Sequence, residues 1–132
     1  MIYRKRKLHD NWIFKRGDLY LVSLNPVKGS EQGGRRPVLV LQNNAGNFYA
    51  PTLIVAPITS QSEKRGKAVH YFIDRQGGLF EPSMVLLEQI RTIDKTRVEG
   101  YIGKLSRSSM EEIDDILLKS LGIVIPAEME AP

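Results

Sequence analysis

Gly29-Ser30-Glu31-Gln32-Gly33-Gly34-Arg35-Arg36-Pro37 runs without a break into Val38-Leu39-Val40-Leu41, and this junction decides how the chain is read. The four apolar residues make a strand continuous enough to be buried on both faces. The polar stretch ahead of it carries three glycines, which permit tight turns and let backbone N–H groups face a ligand. Pro37 sets the geometry of the strand entrance and biases Arg36 towards an extended conformation, so Arg36 projects from a stiff edge. A guanidinium held that way suits a phosphate. Taken alone, the stretch is also what a mobile β-connection with solvated arginines looks like, so the rest of the chain has to decide.

Outward from this junction the chain is a series of short strands followed by one helix. Residues 19–24 read as a first strand, 38–41 as a second and 53–58 as a third, with Pro57 marking an edge or bulge. Residues 69–73, 84–93 and 101–105 continue the series. Turn chemistry separates them at Asn43-Asn44-Ala45-Gly46-Asn47, Gln76-Gly77-Gly78 and Asp94-Lys95. Short strands spaced in this way point to a small barrel, a mainly β fold with one α element. The helix is expected to start at Ser108, with Glu111 completing a capping box. It buries Met110, Ile113, Leu117 and Leu121, and ends at Gly122. Its other face carries Glu112, Asp114 and Asp115, which suits a lid on the barrel and not a surface for polyanions.

The chain has 132 residues, room for one domain with a core and not for two. No apolar run approaches membrane-spanning length, and the apolar stretch after the basic start is only Trp12-Ile13-Phe14, too short for a signal peptide. Cysteine is absent, which excludes disulfides and thiolate metal sites and fits a reducing cytoplasm, the expected location. The net charge of +4 is unevenly spread: residues 1–16 hold six Lys/Arg against Asp10, and residues 109–132 hold six Asp/Glu against Lys119. A basic body suggests a polyanionic partner, most simply nucleic acid. Arg4 to Lys7 read as a solvated, disordered tail.

Standard catalytic apparatus is missing. The two histidines, His9 and His70, form no metal-binding pair, no carboxylates cluster with metal spacing, and neither a Walker loop nor Gly-x-Ser-x-Gly occurs. His70, beside Val69 and Tyr71, reads as a hydrogen-bonded structural residue. Polar residues at strand ends remain: Arg36 before the second strand, Thr59-Ser60-Gln61 after the third, and Glu88-Gln89-Ile90-Arg91 within the fifth. Individually they are ordinary, Thr59 as a β-branched strand residue and Glu88 with Arg91 as a surface pair.

Together they carry a resemblance. Arg16-Gly17-Asp18-Leu19-Tyr20, the Gly29 to Gly34 loop with Arg36-Pro37-Val38-Leu39-Val40, Gln42-Asn43, Pro51-Thr52 running to Ile58-Thr59, and Leu87-Glu88-Gln89-Ile90-Arg91-Thr92-Ile93-Asp94-Lys95 occur in the order found in the MazF/PemK toxins. The chain resembles that family, its bacillus-type members in particular, over residues 15 to 122. The resemblance implies an SH3-like β-barrel with a C-terminal helix, spanning residues 15–125 between a basic extension (1–14) and a tail (126–132). It also implies a homodimeric, metal-independent endoribonuclease acting on single-stranded RNA, with no cofactor, held in check by an acidic antitoxin protein. By motif, Arg36 and Thr59 are then the catalytic residues. Ser30, Glu31, Gln32 and Gly33 line the loop over the scissile phosphate, Arg35 adds a charge beside it, and Gln61, Glu88 and Gln89 are candidates for contacting bases.

The chemistry agrees with so sparse an inventory. RNA brings its own nucleophile, the ribose 2′-OH, so an enzyme that aligns it with the adjacent phosphorus needs neither metal nor activated water. Arg36 can stabilise the phosphorane charge and Thr59 can hydrogen-bond a phosphate oxygen. Two other readings compete. A gyrase-binding toxin of the CcdB type shares the barrel but depends on a C-terminal tryptophan, and the only tryptophan here is Trp12. An adaptor for proline-rich peptides needs an aromatic groove, for which this chain has few aromatics.

Overall fold

In the computed structural model, residues 3–60 and 68–132 are described. Strand β1 (Asp18–Ser23) pairs antiparallel with β2 (Arg35–Val40), Leu19 opposite Leu39 and Ser23 opposite Arg35. Successive side chains of a strand point to opposite faces, and here both faces are dry. Leu19, Leu21 and Leu39 enter one apolar cluster, whereas Tyr20, Val22, Val38 and Val40 enter a second with Phe14, Leu24, Leu53 and Ile93. The two-sided burial expected of residues 38–41 therefore holds, and β2 starts earlier, at Arg35.

Strand β3 (Thr52–Ser60) follows β2, and β4 (His70–Ile73), β5 (Ser83–Leu86), β6 (Arg91–Asp94) and β7 (Val98–Lys104) complete an antiparallel sheet. Its path is β4-β5-β3-β2-β1-β7, with β6 also on β3. The two ends of that path meet where Gly77 and Gly78 pass against β7. A Cβ on Gly78 would overlap the Ile102 carbonyl oxygen and one on Gly103 would overlap that of Gly77, so only glycine permits this approach. This is the small barrel read from the sequence.

Residues 84–93, expected as one strand, are broken in the middle. Ile58 pairs with Val85 and Val55 with Arg91, so three steps along β3 face six along its neighbour. The excess is taken up by a 3-10 turn at Leu87–Gln89 that buries Leu87 and turns Glu88 outwards. Pro57 lies opposite this gap, where its missing N–H costs no ladder bond on that edge.

Two further corrections concern helices. Asn43 to Asn47 is not a simple turn, because Asn43 caps a short helix, α1 (Asn44–Tyr49), by accepting from the Gly46 N–H at 2.8 Å. Helix α2 (Arg107–Ser120) begins earlier than expected: Ser106 and not Ser108 is its N-cap, accepting from the Ser109 N–H at 3.1 Å. Gln76 fixes the choice, since its side-chain oxygen accepts the Ser106 N–H at 3.3 Å. Met110 and Ile113 are buried beneath α2 in the first cluster and Leu117 packs on it, but Leu121, the C-cap, is exposed. Gly122 follows with φ +75°, as a C′ glycine should. Among the described residues no helix is long and apolar enough to cross a membrane.

Residues 4–7 were expected as a solvated tail. Their side chains are largely exposed, yet the backbone is docked, with Arg6 and Tyr101 exchanging two hydrogen bonds of 2.7 Å each across to β7. The arm is held because Trp12 behind it packs at 5.1 Å from the Tyr101 ring and donates its indole N–H to the Tyr20 hydroxyl at 2.8 Å.

Candidate active site

The loop between β1 and β2, residues 24–34, is tied down at both ends and in the middle. The Leu24 N–H donates to the Gly34 carbonyl at 3.0 Å, and the Gly34 N–H donates to Asn25 Oδ1 at 3.1 Å. Arg91 reaches from β6 to the Leu24 carbonyl at 3.0 Å, and the Gln32 N–H donates to Gln89 Oε1 at 2.7 Å. A Cβ on Gly33 would stand 2.7 Å from Val27 Cγ2 and 2.8 Å from Asn25 Oδ1, so a side chain there would have to displace Val27 and the Asn25 amide that holds Gly34. The mobile-connection reading fails, because the backbone that carries the polar residues is clamped to the barrel.

Arg36, the second residue of β2, lies half-buried against this clamp. Its Nε donates to the Gly33 carbonyl at 2.6 Å and its Nη1 to the Ile58 carbonyl at 3.3 Å. With its amide turned so that the oxygen faces the guanidinium, Gln32 accepts from Nη2 at 2.8 Å and from Nη1 at 3.2 Å. An arginine has five N–H donors. These bonds leave one Nη2 hydrogen without a partner among the described residues. Burial lowers the Arg36 pKa, yet a guanidinium stays protonated in a protein, so a fixed positive charge stands beside an open cleft. That cleft, of about 250 Å³, is lined by Tyr3, Arg35, Arg36, Pro37, Thr59 and Ser60.

Thr59 is brought there by β3, the strand paired directly with the β2 that carries Arg36, and its hydroxyl makes no hydrogen bond among the described residues. A second cleft of about 570 Å³ lies between Ser30, Glu31 and Gln32 of the loop and the run Glu88 to Arg91. Gln32 joins the two clefts, with its backbone bonded to Gln89 and its side chain to Arg36.

The family description "PemK-like, MazF-like toxin of type II toxin-antitoxin system" matches residues 15–121 of this chain. The chain belongs to the PemK-like, MazF-like toxin family. It is 50% identical over 113 residues to the Endoribonuclease EndoA of Bacillus subtilis, covering 85% of this chain and 97% of that protein. The fold agrees. The MazF of Deinococcus radiodurans superposes with a TM-score of 0.74 at 26% identity, over 85% of this chain and 99% of that one. A MazE–MazF structure from the same organism gives 0.68 at 27%, over 86% and 100%.

Within this MazF-like frame the residues singled out from the sequence fall into two groups. Arg35, Arg36 and Thr59 share the smaller cleft, whereas Ser30, Glu31, Gln32, Glu88 and Gln89 share the larger, and Gly33 supplies the carbonyl that holds Arg36. Gln61 lies outside the described residues. The Arg35 guanidinium is engaged by Glu99 through Nε at 2.8 Å. The expected Glu88–Arg91 surface pair does not form. Glu88 instead meets His70 Nε2 at 2.8 Å, in keeping with a hydrogen-bonded histidine, while Arg91 supports the loop. Sequence reading named Ser60 and Ile90 within their runs without giving them a role, and it missed Tyr3 and the supporting Asn25. Asn25 sits just ahead of Pro26, a turn signal, but nothing local marks Tyr3, which reaches the site only because the arm docks.

Proposed function

We propose that this MazF-like toxin is a metal-independent endoribonuclease that cuts single-stranded RNA, messenger RNA above all, between Arg36 and Thr59. The observation that carries this reading is the Arg36 guanidinium, fixed by Gly33, Ile58 and Gln32 with one N–H left unbonded among the described residues, in the wall of the cleft that Arg36 shares with Thr59. The ribose 2′-oxygen attacks the adjacent phosphorus and loses its proton, the bond from phosphorus to the 5′-oxygen breaks, and that oxygen takes up a proton. The products are a 2′,3′-cyclic phosphate and a 5′-hydroxyl. Arg36 stabilises the negative charge that develops on the phosphorane, and Thr59 holds a non-bridging oxygen. Arginine is a poor proton donor because its pKa exceeds about 12, so its contribution is electrostatic. The larger cleft takes flanking nucleotides, with Ser30 and Glu31 on one wall and Glu88 and Gln89 on the other, and Gln61 and Arg35 complete the proposed RNA contacts. A specific sequence is read there from unstacked bases.

The relatives crystallised as MazE–MazF point to an acidic antitoxin laid across the same basic loop, competing with RNA by charge and sterics. As the family resemblance implies, this chain is proposed to act as a homodimer, in the cytoplasm where its substrate is. A CcdB-type gyrase poison is not favoured. The test is incubation of the purified protein with a mixed-sequence RNA in EDTA and mapping of the fragment ends. Discrete cuts with 5′-hydroxyl ends are expected; intact RNA, or 5′-phosphate ends, would contradict the proposal.

A further inference from the structure

The arm that precedes the family match reaches the proposed active site. Residues before 15 lie outside the matched span, and their first part docks through two isolated bridges, one to β7 and one to the turn after Gly78. Beyond the Arg6–Tyr101 pair, the Arg4 N–H donates to the Gly78 carbonyl at 3.3 Å and Tyr3 forms an antiparallel bridge with Leu79. The Arg6 guanidinium stands 4.9 Å over the Tyr101 ring, and Lys5 fills the space that glycine leaves at Gly100. Trp12 anchors the base of the arm through Tyr101 and Tyr20. This course places Tyr3 in the wall of the cleft that holds Arg36 and Thr59.

Tyr3 is half-buried, packs partly on the first apolar cluster, and makes no hydrogen bond among the described residues. An aromatic ring beside a fixed cation in an open cleft is what single-stranded RNA requires, since an unstacked base finds a new stacking partner there. We infer that Tyr3 is a substrate-binding residue whose ring stacks on the base of a nucleotide flanking the scissile phosphate, so that the N-terminal arm is part of the RNA site. The inference rests on the proposed endoribonuclease reading and adds to it a nucleotide subsite that residues 15–121 alone do not provide.

The experiment compares the full chain with Tyr3→Phe, Tyr3→Leu and Tyr3→Ala, measuring single-turnover cleavage of a mapped RNA over a range of enzyme concentrations. Trp12, the single tryptophan, reports by its emission whether the arm stays docked. Stacking predicts that Tyr3→Phe behaves as the parent chain. Tyr3→Leu, which keeps apolar packing on the arm, should need at least about tenfold more enzyme for half-maximal rate, with the saturated rate and the Trp12 emission little changed. A Tyr3→Leu variant equal to the parent overturns the inference. So does a Tyr3→Phe variant as impaired as Tyr3→Leu, which would assign the role to the hydroxyl, and so does a loss in Tyr3→Leu that appears only with a shifted Trp12 emission. If Tyr3→Ala undocks the arm, the Phe and Leu pair still decides. A parent chain that leaves RNA intact overturns the endoribonuclease reading itself, a result distinguishable from the other three.

Discussion

Replacing Arg36 by lysine separates a fixed hydrogen-bonding fork from a simple positive charge. In the structure Arg36 serves the Gly33 carbonyl, the Ile58 carbonyl and the Gln32 amide oxygen, which leaves one Nη2 hydrogen unbonded among the described residues and, in the proposed mechanism, available to the phosphate. That makes four acceptors once a phosphate is bound. An ammonium has three hydrogens on one rotating group, so Arg36→Lys cannot meet the protein acceptors and the phosphate together. The loss of one preorganised donor costs about 2.7–4 kcal/mol in the transition state, or ~10²- to 10³-fold. Arg36→Lys is expected at the lower end of that range and Arg36→Ala at or beyond the upper. The Gly33 and Gln32 acceptors are half-buried and water can refill them, whereas the Ile58 carbonyl belongs to a fully buried residue, so folding stability falls by about 1–3 kcal/mol, read as a lower melting temperature. The assay is single-turnover cleavage of a labelled RNA at saturating enzyme, beside a thermal melt. Were Arg36 instead the proton donor to the 5′-oxygen, lysine, with its pKa of about 10.4, would do as well or better. A lysine variant that cuts at or above the parent rate therefore refutes the electrostatic role.

Three other outcomes follow from the geometry. Thr59→Val keeps the branched shape and removes only the hydroxyl, so it should melt as the parent does while cutting about 10²-fold more slowly. Ser106→Ala should lower stability in urea by about 1 kcal/mol, the usual worth of an N-cap, while Ser108→Ala stays within about 0.5 kcal/mol; equal effects would reopen the choice of cap. Burial, aided by the bond to Asp18, holds the Tyr20 phenol far above its usual pKa. Its contribution to stability is therefore complete below the unfolded value of about 10 and declines as pH rises towards the folded value. Denaturant titrations from pH 8 to 11.5 should show a steeper alkaline loss in the parent than in Tyr20→Phe.

The strands were legible because their apolar runs are long enough to be buried and are separated by turn residues. The break at Leu87–Gln89 was not, since Glu88 and Gln89 between Leu87 and Ile90 read as outward positions of a continuing strand; only the register against β3 reveals the extra residues. α1 spans six residues, too few for a helical period to emerge. Ser106, Ser108 and Ser109 offer alternative caps to local reading, and a contact from Gln76, thirty residues away, makes the choice. Arg36 could be picked out because Pro37 and the following apolar run fix it locally. Its support could not, because the tie from Gln32 to Gln89 spans 57 positions and exists only in the folded barrel. Tyr3 shows the same limit, since its place beside Thr59 depends on Trp12 and Tyr101 meeting across the chain.

The most direct test of the central claim uses two synthetic RNAs of one sequence in EDTA, identical except for a single 2′-deoxy sugar on the 5′ side of the mapped cut. With the substrate's own 2′-oxygen as nucleophile, the all-ribose strand is cleaved to a 2′,3′-cyclic phosphate and the substituted strand stays whole at that bond while still competing for the enzyme. Cleavage of the substituted strand at the parent rate would contradict the mechanism built on Arg36 and Thr59.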